Sequence, residues 1–176
     1  MAQYVALLRG INVGGNKKIS MAGLRTLIGD LGFEDVATLL QSGNVVLTAK
    51  NKKPDQIVRA LESGIDAELG MSVRCLVRTA AEMRAIVAAN PLADESTNPS
   101  RYLVTFLSAP LPAGALDPAD FAPERFEVLG REIYMWLPGG INDAKLAKIN
   151  WDRRFQVVAT GRNWNTVAKL TEMVQG

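Results

Sequence analysis

Along the first 78 residues the apolar side chains change spacing in the order strand, helix, strand, strand, helix, strand, and this order constrains the fold more than any other feature. Residues 3 to 9 read as a strand. Ser20 then stands as an N-cap before Leu24, Leu27, Ile28 and Leu31, which recur at helical spacing, and Gly32 sits where such a helix ends. Apolar runs from Val36 to Leu40 and from Val45 to Thr48 flank Gln41-Ser42-Gly43-Asn44, the pattern of two strands joined by a tight turn. Pro54 opens a second helix with Ile57, Leu61, Ile65 and Leu69 on one face and Gly70 at its end, and a strand around Cys75 completes the set. A β-α-β-β-α-β order predicts a ferredoxin-like unit, an antiparallel sheet with two helices on one face.

The second half is less regular. Thr79 with Glu82 forms a capping box for a helix carrying Met83, Ile86 and Val87, which stops before Asn90-Pro91. Leu92 to Ser100 reads as a loop and Arg101 to Leu107 as a strand; four prolines then punctuate a connection with one helical turn near Ala119. Phe126 to Leu129 and Ile133 to Leu137 flank Gly130-Arg131, a pair suited to a type II′ hairpin. Two helical patterns close the chain, from about Asp143 to Trp151 and from about Trp164 to Val174. The expected fold class is therefore α+β with mostly antiparallel sheets, built as two ferredoxin-like-type subdomains. With no break in composition near Arg78 and Thr79, residues 1–78 and 79–176 are expected to pack closely.

Composition excludes much chemistry. The 176 residues are 48% hydrophobic and 22% charged, the balance of a globular chain that buries a core without staples. There is no histidine and one cysteine, so Ser-His and Cys-His nucleophilic mechanisms and Cys/His zinc sites are closed. No metal and no cofactor is expected. Cys75, inside a strand pattern without flanking motif, reads as a small buried hydrophobe. The start of the chain lacks the marks of a signal peptide, and no apolar run approaches the roughly 20 residues of a spanning helix. A cytoplasmic protein with no membrane partner follows as the expectation, either a monomer or a homodimer.

The net charge of +2 hides an uneven distribution. Residues 1–29 hold Arg9, Lys17, Lys18 and Arg25 and no acid, for +4. Residues 82–132 hold four arginines against eight acids, for −4. Residues 145–169 hold Lys145, Lys148, Arg153, Arg154, Arg162 and Lys169 against Asp152, for +5. If the two basic ends meet, they form one face suited to phosphate or nucleic acid; the plain alternative is scattered solvated charge.

Two polar segments deliver basic groups to a helix start. One is Gly14-Gly15-Asn16-Lys17-Lys18 before the first helix, and the other is Thr160-Gly161-Arg162-Asn163 before the last. A helix start offers unpaired N–H groups and the positive end of the peptide dipole, so it stabilises an anion. Asn163 as N-cap leaves Asn165 and Thr166 in the first turn, with Arg162 placed to close over a phosphate. Pro138 to Asp143, with Lys145 beyond, is a weaker third case because Asp143 opposes an anion. The competing reading makes these glycines and asparagines turn formers that satisfy backbone groups.

Familiar nucleotide motifs are absent. Gly10 and Gly15 have P-loop spacing, but Asn16 and Lys17 stand where Lys and Ser/Thr are required, and no G-x-G-x-x-G occurs. Ser42 lacks a base, and Trp164 serves either as packing or as a stacking platform.

Tyr4-Val5-Ala6-Leu7-Leu8-Arg9-Gly10-Ile11-Asn12-Val13-Gly14-Gly15, then Gln41-Ser42-Gly43-Asn44-Val45-Val46, then Arg162-Asn163-Trp164-Asn165-Thr166-Val167 together resemble the bacterial domain of unknown function 1697 family. The resemblance implies a two-part α+β architecture with ferredoxin-like elements and no established activity. Its motif positions fall on the same polar segments.

The functional expectation is a module that binds a phosphate-bearing small molecule or nucleic acid. Its ligand-binding residues would be Arg9, Asn12, Gly14, Gly15, Asn16, Lys17, Gln41, Ser42, Asn44, Arg162, Asn163, Trp164 and Asn165. The alternatives are a group-transfer enzyme acting by positioning and electrostatics without histidine, and a purely structural or oligomerisation role for the polar loops.

Overall fold

A computed structural model describes residues 1–12 and 18–174. The chain divides into two compact units, one of residues 1–85 together with those from 169 onward, the other of residues 86–168.

The first unit contains β1 (Ala2–Leu8), α1 (Met21–Asp30), β2 (Glu34–Leu39), β3 (Asn44–Ala49), α2 (Pro54–Leu69) and β4 (Cys75–Thr79). Its strands lie in the order β2-β3-β1-β4, and every neighbouring pair is antiparallel. Each helix thus joins two strands across a third: α1 links β1 to β2 over β3, and α2 links β3 to β4 over β1. The alternation of strand side chains places Tyr4, Ala6, Leu8, Val45, Leu47, Cys75 and Val77 in one core with Leu24, Leu27 and Ile28 of α1 and Ile57, Leu61 and Ile65 of α2. Removing each large apolar side chain from water contributes about 1.5–3 kcal/mol. Gly64 is required for this packing, since a Cβ there would lie 2.6 Å from Leu31 Cδ1. Local signals set the helix ends. Ser20 Oγ accepts from Gly23 N–H at 2.9 Å to open α1, and Gly70 at φ +64° closes α2.

The helix α3 (Ala80–Ala89) opens with the expected reciprocal box. Thr79 N–H donates to Glu82 Oε2 at 2.9 Å, and Glu82 N–H donates to Thr79 Oγ1 at 3.0 Å. Then come β5 (Tyr102–Leu107), β6 (Arg125–Leu129), β7 (Glu132–Trp136), α4 (Trp151–Phe155), β8 (Ala159–Asn163) and α5 (Trp164–Met173). The second unit's sheet is antiparallel in the order β6-β7-β5-β8. Gly130, at φ +59°, begins the two-residue turn between β6 and β7, where only glycine is at ease. One sheet face packs Leu103, Leu107, Ile133, Met135 and Ala159 against Phe121, Ala144, Leu146 and Val157, which come from loops and short turns instead of long helices. Val104 and Tyr134 belong to the opposite pleat and are fully buried. The outcome is an α+β chain with two four-stranded antiparallel sheets. No helix among the described residues is long and apolar enough to cross a membrane.

Two expectations are corrected. The helix expected from Asp143 to Trp151 is a 3₁₀ turn at Leu146–Lys148 followed by α4, which begins where the pattern was expected to end. Two side chains enforce the break. Glu124 takes the N–H groups of Lys145 and Leu146 at 2.8 and 2.9 Å, and Asn150, in extended conformation, accepts from Arg153 N–H at 3.1 Å as an N-cap. The helix start expected after Pro138 to Asp143 is therefore missing. Thr160 to Asn163, read as a loop, is instead strand β8, with Arg162 opposite Val104 and Asn163 opposite Leu103. Pairing with β5 overrides the weak strand propensity of Gly161 and Asn163.

Candidate functional site

In the first unit the polar residues flank the end of β1 and the β2–β3 turn. Gly14, Gly15, Asn16 and Lys17 lie outside the described residues. Arg9 is half-buried, and its N–H donates to Arg74 C=O at 2.9 Å. Asn12, at φ +56°, has both amide hydrogens committed. It donates to Ile19 C=O at 3.0 Å and Gln41 C=O at 2.8 Å, while its Oδ1 accepts from Ile19 N–H at 2.9 Å. This one side chain closes the loop that starts at Arg9 and ties it to the neighbouring turn. Asn44 is fully buried and donates to Leu39 C=O at 2.9 Å and Ser42 Oγ at 3.0 Å. Gly43 fits between them at φ +85°, where a Cβ would lie 2.8 Å from Leu8 Cβ. Gln41 and Ser42 are exposed. The structure brings Asn12, Gln41, Ser42 and Asn44 together: Asn12 bonds to the backbone of Ile19 and Gln41, and Asn44 to Leu39 C=O and Ser42 Oγ.

In the second unit Arg162 leads directly from β8 into α5. Its Nη1 donates to Thr160 Oγ1 at 2.7 Å and to Gly161 C=O at 3.0 Å, and loss of solvation lowers its pKa to about 10, which leaves it protonated at neutral pH. Asn163 caps α5 by accepting from Thr166 N–H at 3.0 Å. Trp164 stacks on Tyr102, and Asn165 is exposed.

A concentration of exposed positive charge lies elsewhere in the second unit, on the segment where the helical pattern is broken. Phe121, Lys145, Lys148, Ile149, Asn150, Arg153 and Arg154 line one open cavity of about 600 Å³. Among the described residues, four cations and no carboxylate line it. Among the described residues no ion pair engages any of the four. Arg154 is held with its guanidinium 5.0 Å from the Phe155 ring centroid, and Trp151 packs on Phe155 at 5.8 Å. The 3₁₀ turn and α4 create this lining: the break at Asn150 presents Lys145 and Lys148 from one side of the kink and Arg153 and Arg154 from the other. Like charges on one concave surface repel one another, and an anion relieves that repulsion. The sequence signal for this groove is the +5 over residues 145–169, most of which belongs to the ten residues from Lys145 to Arg154 and not to the Arg162 segment chosen as the candidate site.

The model of the family described as "Protein of unknown function (DUF1697)" matches residues 1–134. That stretch holds the first two sequence motifs; Arg162 to Val167 and the groove segment lie beyond it. No curated protein matches the chain. Among solved structures, the conserved bacterial protein SP0830 from Streptococcus pneumoniae is similar with a TM-score of 0.74 at 25% identity, over 99% of each chain.

Proposed function

The chain belongs to the DUF1697 family of proteins of unknown function, and from that starting point we propose that it is a binding module for phosphate-bearing ligands. One observation carries this reading: Lys145, Lys148, Arg153 and Arg154 line a single open cavity in which no carboxylate stands among the described lining residues. Lysine offers a mobile point charge and arginine a planar fork for paired phosphate oxygens, so the set suits a ligand with more than one anionic group. Phe121 and Ile149 add an apolar floor, and Asn150 adds an amide at the kink.

The Arg9 and Arg162 segments enter this reading as supports. The hydrogen bonds of Asn12 and Asn44 favour a structural role for the first-unit polar turn, and Arg162 directs Nη1 to Thr160 and Gly161. The test is isothermal titration with inorganic tripolyphosphate at low and moderate salt. Binding that weakens with salt and disappears in the Lys148→Glu/Arg153→Glu protein, with Arg162→Ala retaining it, supports the groove. Equal binding by the doubly reversed protein overturns it.

A further inference from the structure

The groove has a neighbour. A second, more enclosed cavity of about 270 Å³ lies between the sheet of the second unit and the same 145–151 segment. Ile149 lines both spaces. Along this segment Lys145 and Lys148 face the groove, whereas Leu146, Ala147 and Trp151 face the cavity, so one short stretch of chain is their common wall. The sheet side of the cavity is formed by Leu103, Thr105, Met135 and Gly161.

We infer that the ligand is a small phosphorylated molecule with a flat, largely apolar part, by chemical class a nucleoside phosphate, whose phosphates lie on the groove cations while its ring enters the second cavity beside Trp151. This rests on the groove being an anion site. Three observations carry the further step. The cavity volume is just below the range usual for pockets that take drug-sized ligands, enough for a ring system and too small for a run of stacked nucleotides. Its lining combines an indole and aliphatic groups with the Thr105 hydroxyl, which donates to the Met135 thioether at 3.4 Å and keeps its oxygen as an acceptor, a mixture that holds a flat heterocycle and orients it. Gly161 keeps the space open. A Cβ there would meet Thr105 Oγ1 at 3.4 Å and Leu103 Cδ2 at 3.5 Å, ordinary contacts, so a larger side chain can be accepted by the strand and would extend into the cavity.

The experiment compares three probes on the wild-type chain by titration: adenosine triphosphate, inorganic tripolyphosphate and a single-stranded oligonucleotide of about twelve residues. The expected result is nucleotide binding at least tenfold tighter than tripolyphosphate. Gly161→Leu should abolish that advantage and leave tripolyphosphate affinity unchanged. Equal affinity for nucleotide and tripolyphosphate in the wild type overturns the ring site while leaving the anion groove standing. Retention of the nucleotide's advantage in Gly161→Leu also overturns it, as does an oligonucleotide that binds more tightly than the triphosphate and is indifferent to Gly161→Leu. Failure of all three probes to bind removes the anion groove itself. Gly161→Val, suited to a strand, replaces Gly161→Leu if the leucine protein does not fold, and the wild-type comparison decides the matter if neither does.

Discussion

Tyr102 and Trp164 stack with ring centroids 4.9 Å apart and planes inclined by 27°. Tyr102 also donates its hydroxyl to Asn90 Oδ1 at 2.8 Å, and Tyr134, 6.4 Å from Tyr102, donates to Ile86 C=O at 2.7 Å. The indole therefore belongs to an aromatic cluster that joins β5, β7 and the start of α5. Trp164, half-buried in this cluster, should cost about 1–3 kcal/mol when replaced by alanine, read as a lowered urea midpoint, with tripolyphosphate affinity of the folded protein unchanged. An undisturbed midpoint with lost binding would return Trp164 to the ligand.

The groove cations make the opposite prediction. Their side chains are exposed and engage no carboxylate among the described residues, so Lys148→Glu/Arg153→Glu should alter stability by no more than about 1 kcal/mol while abolishing tripolyphosphate binding. Thermal melts without and with the ligand separate the two effects.

Asn44 should behave as a structural residue. Replacing it by alanine removes the donor to Leu39 C=O from a fully buried position, at a cost of about 1–3 kcal/mol. Asn12→Ala removes three backbone contacts and should destabilise by a similar amount. Denaturant unfolding checks both, and stable proteins with impaired tripolyphosphate binding would contradict the assignment.

Burial raises the Cys75 thiol from an ordinary 9.0 to about 12, with the nearby Glu62 carboxylate adding to the effect. The folded state therefore holds this proton more tightly than the unfolded chain does. The associated stability is fully present below pH 9 and is lost as pH rises from 9 towards 12. Cys75→Ala should flatten the fall in unfolding midpoint over that interval, and the native thiol should react with a disulfide reagent at pH 8 only as fast as the protein opens. Immediate native reaction would contradict the buried position.

Secondary structure was legible wherever a local rule acted alone. Ser20, Gly70 and the Thr79–Glu82 pair set helix ends that depend on a few consecutive residues, and the apolar spacing of residues 3–77 marked most of the first core, although Leu40 and Leu69, read into the apolar pattern, are exposed. The errors came from partners distant in sequence. Nothing near Lys145 announces that Glu124, more than twenty residues earlier, takes its N–H, and nothing around Gly161 announces that β5 supplies a strand partner. The same distance hid the groove. Its charges were visible as a sum, but their convergence depends on the kink at Asn150 and on Phe121, which arrives from a separate connection.

Both α3 and α5 are divided between the two units, so the second unit is an insertion into the first. During synthesis the residues from 169 onward, which belong to the first unit, are made only after the whole of the second. All four strands of the amino-terminal sheet lie within residues 2–79, so a truncation before residue 169 spares the sheet and removes only the distant piece of its unit.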